Sequence, residues 1–173
     1  TELLSSAHDP AQLMSAWGQL ESSEREMPEV SIHGAQRMAV LRGDLATARI
    51  WLLPAWIRMV EQPQSLTDSL RVKLARALEA GLDSVDAEWL ARIELAQRNN
   101  PRDPNLQYLA GMACMKRQLW GKAQQLLTQA GNGLQDAGLY RRSWQALATL
   151  AEARDDTDQA SVAWKRAAQT EAP

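Results

Sequence analysis

The stretch Asn105–Ala130, NLQYLAGMACMKRQLWGKAQQLLTQA, decides how the rest of the chain is read. It divides into two short amphipathic segments about a turn near Gln118–Leu119. Leu109, Met112, Leu119, Trp120, Leu126 and Leu127 supply apolar surface, while Gly111, Ala123 and Ala130 are small residues placed where two helices would touch. A helical hairpin of this kind cannot bury its apolar face alone, so it asks for copies of itself on either side.

Composition agrees with that reading. A chain of 173 residues suits one domain or one run of small repeats, and 45% hydrophobic residues are enough for a core. Phe is absent, Tyr occurs only at Tyr108 and Tyr140, and Val and Ile are scattered among many Ala and Leu. Strand formers are therefore scarce, and the chain is expected to be all-α. Nineteen basic and 21 acidic residues give a net charge of −2 without a dense basic stripe, which argues against nucleic acid as a partner. Arg141-Arg142 and Lys165-Arg166 read as solvated helix faces. Cys114 is the only cysteine, so neither an internal disulfide nor a zinc site can be built, and its apolar surroundings predict a small core residue. No apolar run reaches the length of a membrane span: Ile50–Val60, IWLLPAWIRMV, is too short and holds Pro54 and Arg58. The opening residues do not read as a signal peptide, and a chain that starts at Thr1 is expected to continue upstream.

Outward from the opening stretch, helices follow one another. Residues 1–9 read as a frayed lead-in. Asp9-Pro10 starts a leading helix over about 10–22, with Leu13, Met14, Trp17 and Leu20 on one face and a stop in the polar run Glu21–Glu26. Pro28 opens the next helix, which Gly43 caps, and Asp44 caps the one after it. Pro54 should kink that helix or end it early. A helix over Ser65–Ala80 follows, closed by Gly81, then one capped by Ser84 or Asp86 and ended by Asn99-Asn100-Pro101. Asp103-Pro104 starts the first half of the opening stretch. Gly131, Gly133 and Gly138 predict a loose joint before helices over Leu139–Ala153 and up to about Gln169, with fraying at Thr170–Pro173.

Small residues keep a beat. Ala48/Ala55, Ala123/Ala130 and Ala160/Ala167 are each seven apart, as are Trp89/Ala96, and a larger apolar residue stands four after each first member: Leu52, Leu127, Trp164 and Ile93. Ala96 to Ala130 and Ala77 to Gly111 are both 34 residues. A 34-residue helix-turn-helix unit resembles the tetratricopeptide repeat. Its Trp-x2-Leu-Gly-x2-Tyr signature is matched by Trp144-x2-Leu147-Ala148-x2-Ala151 and Gln107-x2-Ala110-Gly111-x2-Cys114; its Ala-x3-Phe element by Ala48/Leu52, Ala123/Leu127 and Ala160/Trp164; its terminal Pro by Pro101. No copy keeps the Tyr, and Gly is kept once. The resemblance implies a single domain over 1–173: a right-handed superhelix of about nine antiparallel helices, paired over about 28–60, 65–99, 103–130 and 139–170.

A narrower likeness lies in Asn100-Pro101-Arg102-Asp103-Pro104, Leu109-Ala110-Gly111, Gln118-Leu119-Trp120-Gly121-Lys122-Ala123 and Ser143–Ala148. This wording is similar to the C-terminal repeat region of bacterial HemY-type haem-biogenesis proteins, well over residues 84–173 and in outline before them. The resemblance implies a soluble domain of an inner-membrane protein with an N-terminal anchor, on the cytoplasmic side, acting as a scaffold beside enzymes of haem or porphyrin synthesis. The repeat family's groove positions fall on His33, Arg37, Arg71, Leu74, Leu78, Asn105, Tyr108, Met112, Lys116, Arg142, Gln145 and Thr149. That mixture of cationic, amide and apolar residues suits a segment of another protein, one carrying acidic groups included. The alternative is a carrier that binds haem or porphyrin itself, with His33 as axial ligand and a Met partner.

Catalytic chemistry is poorly provided for. Only His8 and His33 could serve as a base, and no Gly-rich phosphate loop follows a strand. Asp155, Asp156 and Asp158 lack the ligand set of a calcium loop and read as a helix-capping turn. Four or five of the seven Trp are placed in the core by the repeat pattern, with Trp56, after the proline, as the exposed one. The expectation is a binding protein that is not an enzyme and has no cofactor or metal.

Overall fold

The computed structural model describes residues 1–169; the expected fraying at Thr170–Pro173 lies outside them. The described chain is all-helical, with no strand. It divides into two compact units, Thr1–Val85 and Asp86–Pro173.

The first unit holds α1 (Glu2–Ser5), α2 (Pro10–Gln19), α3 (Ser22–Arg25), α4 (Pro28–Val40), α5 (Leu45–Glu61) and α6 (Asp68–Glu79), with 3-10 turns at Pro63–Ser65 and Leu82–Ser84. α4 is its hub and touches all five others. Gly34, in the middle of α4, explains the closeness: a Cβ there would lie 2.9 Å from the Trp17 ring and 3.2 Å from Trp51. Those indoles stack with centroids 4.2 Å apart and planes 13° from parallel, and the glycine admits the pair against the helix backbone.

The second unit holds α7 (Ala87–Asn99), α8 (Pro104–Lys116), α9 (Trp120–Gly133), α10 (Ala137–Ala153) and α11 (Thr157–Ala167). Each helix packs on its neighbour in the chain. α8 and α9 meet at Gly111, where a Cβ would stand 2.8 Å from Leu127 Cδ2. α9 and α10 meet where Gly131 lies under the Trp144 indole, whose Nε1 donates to the Gly131 carbonyl at 3.2 Å.

Three hairpins, α4–α5, α8–α9 and α10–α11, are closed by one turn. Arg42, Gln118 and Asp155 adopt left-handed backbone, with φ of 57, 61 and 58°. The following amide returns across the turn to the preceding helix: Gly43 to Met38 (2.8 Å), Leu119 to Cys114 (2.9 Å), Asp156 to Ala151 (2.9 Å). The left-handed residues donate to Ala39, Met115 and Glu152 at 3.1, 3.1 and 3.0 Å. This is the Schellman pattern, which satisfies carbonyls a helix end leaves open. Aspartate begins helix after helix: Asp9, Asp44, Asp86, Asp103, Asp136 and Asp156 each accept an amide of the first turn. Ala48, Ala55, Ala96, Ala123, Ala130, Ala160 and Ala167 are all buried, so the seven-residue beat marks helix contacts.

Several expectations are corrected. The lead-in forms α1, because Leu4 is sealed in the core, and the polar run Glu21–Glu26 holds α3, started by a capping box between Glu21 and Glu24. The leading helix stops at Gln19. α5 runs through Pro54 to Glu61, since core contacts on both sides of the proline outweigh the lost amide bond. α6 begins at Asp68, capped by the Thr67 hydroxyl, and not at Ser65. The α4 end takes its left-handed residue from Arg42, not Gly43. Gly131 and Gly133 are helical, and the joint shrinks to Leu134–Asp136 because Gly131 is needed as a flat contact for Trp144. Eleven α-helices replace the expected nine among the described residues. Of the expected pair over 65–99, α6 lies in the first unit, packed on α4 and α5, and α7 in the second, packed on α8.

Candidate functional site

The positions expected to line a groove fall into two groups. In the first unit, His33 and Arg37 lie on α4, and Arg71, Leu74 and Leu78 on α6. The chain's own N-terminal segment lies over the α4 pair. His33 Nε2 shares a 3.0 Å hydrogen bond with Ser5 Oγ, and Arg37 Nη2 donates to the Ala7 carbonyl at 2.6 Å. Burial first, then the positive charges of the N-terminal amine, Arg37 and Lys73, hold the His33 imidazole below its ordinary pKa of 6.5. Arg71 pairs with Asp68 at 3.1 Å. Leu74 and Leu78, 0 and 2% exposed, are core residues, so they offer no surface to a ligand.

In the second unit, Asn105, Tyr108, Met112 and Lys116 lie on α8, and Arg142, Gln145 and Thr149 on α10. Tyr108 is fully enclosed, Asn105 and Met112 are half-buried, and Lys116, Arg142, Gln145 and Thr149 are exposed. At 100° per residue, Arg142, Gln145 and Thr149 form a stripe on one face of α10.

A concavity in this unit, with walls and a floor, lies on the opposite face of α10. Its floor is Leu147, Leu150 and Ala151; its walls are Gln124, Thr128 and Asn132 from α9 and Gln159 and Val162 from α11; its volume is about 280 Å³. α9 and α10 are joined by the short link Leu134–Asp136, so they run antiparallel and the start of α9 meets the end of α10. There Arg154 Nη1 donates to Gln124 Oε1. At the other end the Arg166 guanidinium lies 4.7 Å over the Trp144 ring. Asp156, also on the rim, accepts the Gln159 amide as the α11 cap. A smaller apolar hollow of about 220 Å³, lined by Met115, Trp120, Thr149, Leu150 and Ala153, lies on the far side of Arg154.

Sequence reasoning passed over this cleft because polar residues at helical spacing on α9 and α11 look like any solvated face. It also passed over Arg49, 4% exposed, whose Nη1 and Nη2 donate to the Gly81 and Ser84 carbonyls at 3.0 Å each. A signal existed there: Arg49 stands three residues before Leu52 and seven before Trp56, on the apolar face of α5. The tryptophans also differ from expectation. Trp56 is buried at 3%, while Trp120 and Trp164 are 45 and 41% exposed. Trp164 is turned outward, where its indole donates to Glu152.

Among the described residues, no group of three or more His, Cys, Asp or Glu is arranged to hold a metal ion. Cys114 is buried, and burial raises its thiol pKa. No helix of the described chain is long and apolar enough to cross a membrane. Comparison with protein-family models, with curated proteins and with solved structures finds no match.

Proposed function

We propose that this chain is a non-enzymatic protein-interaction scaffold, built as a tetratricopeptide-like right-handed superhelix. It belongs, on this reading, to a HemY-type inner-membrane protein whose anchor lies upstream and whose repeat region faces the cytoplasm. The observation that carries the scaffold reading is recurrence. Three hairpins share one left-handed closing turn, and alanines spaced seven apart are sealed between helices. A protein assembled by repetition presents long helix faces and shallow clefts to other chains. The haem-synthesis setting rests on the residue wording around Asn100–Ala123 and Ser143–Ala148. The partners are proteins, enzymes of late haem or porphyrin synthesis among them.

The test is affinity capture of the full-length protein, cross-linked in its native membranes. Recovery of tetrapyrrole-synthesis enzymes in amounts comparable to the bait is expected. Recovery of no protein, with turnover of a small molecule by the purified chain, overturns the reading. The carrier alternative, haem or porphyrin bound through His33, draws no support from a ring nitrogen already bonded to Ser5. A Soret shift on haem titration that disappears in His33→Ala would restore it.

A further inference from the structure

We propose that the cleft over α10 binds an extended, acidic segment of a partner protein, with two carboxylates reaching Arg154 and Arg166. The proposal rests on the scaffold reading and names the chemistry of what one surface of that scaffold takes.

The dimensions come first. Arg154 marks the Gln124 end of the cleft, and Arg166, stacked on Trp144, marks the Asn132 end. Gln124 to Asn132 is two turns of α9, about 12 Å at 1.5 Å per residue. An extended chain covers about 3.3 Å per residue, so acidic side chains about four residues apart match the two guanidinium groups.

The lining comes second. Gln124, Thr128 and Asn132 form one polar row along α9. Amide side chains carry both donors and acceptors, which is what the backbone of an extended segment presents. Opposite them Val162 is 50% exposed above the apolar floor at Leu150, a place for an apolar side chain between the two acids. A small inorganic anion would leave that strip uncovered.

Charge comes third. Among the residues lining the cleft, Arg154 and Arg166 are the cations and Asp156 is the one acid. The lining carries a net positive charge, which favours an anionic partner. Arg166 is held in place by the Trp144 ring, and a guanidinium fork matches a carboxylate in two hydrogen bonds. Asp156 opposes an anion at the Arg154 end, although its carboxylate already accepts the Gln159 amide at 3.1 Å. The Arg166 end is therefore the stronger of the two.

The experiment titrates the full chain into an end-blocked, fluorescein-labelled peptide of Gly, Ser, Val and Leu carrying two glutamates four residues apart, followed by anisotropy. Saturable binding is expected, weakened about tenfold by Arg166→Glu and less by Arg154→Glu. Thr128→Trp, which fills the cleft from an exposed position, should abolish it while leaving the circular dichroism spectrum unchanged. A peptide with lysines in place of the glutamates should not bind. The proposal is overturned by absence of binding at millimolar peptide, by equal binding of the lysine peptide, or by affinity indifferent to all three substitutions. It is equally overturned by sedimentation showing a dimer that Arg166→Glu dissolves, since a second copy would then occupy the cleft. If full-length Arg166→Glu captures the same membrane proteins as wild type and the peptide fails, this site falls and the scaffold reading stands. If wild type does neither, both fall.

Discussion

Single atoms decide several of the packing choices. Gly111→Ala would gain up to about 1 kcal/mol of helix propensity. It would also drive a Cβ to 2.8 Å from Leu127 Cγ, a branch point that is fully buried and cannot swing aside. Overpacking of that kind costs about 1–3 kcal/mol, so a net loss of about 1 kcal/mol is expected in urea unfolding. Gly18→Ala is the control: its Cβ meets nothing within 4 Å, and the variant should be neutral or slightly more stable. Arg49→Met should cost about 2–3 kcal/mol, because the Gly81 and Ser84 carbonyls lose charged donors. His33 gives a pH dependence. Its folded pKa lies below 6.5, so the folded state binds its proton less readily than the unfolded chain. Stability is then complete above 6.5 and declines as pH falls below it. A His33 ring resonance that titrates at or above 6.5 by NMR would contradict this, and His33→Gln should flatten the melting temperature between pH 7.5 and 5.

At the level of helices and turns, the three Schellman closures raise a question the sequence answers in an unusual way. Glycine, the ordinary choice for a left-handed residue, is replaced by Arg42, Gln118 and Asp155. A side chain there costs about 1 kcal/mol, part of which glycine would return as chain entropy. Gln118→Gly is expected to stabilise by about 0.5 kcal/mol in thermal unfolding, and Asp155→Gly by less, since aspartate tolerates this backbone better. A loss of stability in Gln118→Gly would mean that the Gln118 side chain contributes more than its backbone strain costs. The helices themselves were legible because their signals are local. Asp caps lie within three residues of the amides they bind, and apolar faces repeat every three or four positions. α1 and α3 were not legible, because four residues carry too little periodicity. What makes α1 a helix is Leu4 entering a core built by residues far along the chain.

On the scale of the whole molecule, the division at Val85/Asp86 predicts that residues Asp86–Pro173, expressed alone, retain helical circular dichroism and a cooperative melt. A fragment without a cooperative transition would show that the second unit depends on the first. The regular beat of small residues crosses this boundary without marking it, which is why one domain was expected. Of the candidate site, the exposed α10 stripe of Arg142, Gln145 and Thr149 could be foretold from spacing, but the covering of His33 and Arg37 by residues 1–7 could not. By itself the sequence determined the all-helical class, most helix starts and the alanine contacts, since each depends on residues within a turn or two of one another. Only the tertiary structure decided that Leu74, Leu78 and Tyr108 are enclosed, that Arg154 and Arg166 stand at the two ends of one cleft, and where the chain divides. Those outcomes depend on pairs such as Ser5 with His33 and Gln124 with Arg154, far apart in the chain, and no local pattern encodes their distance.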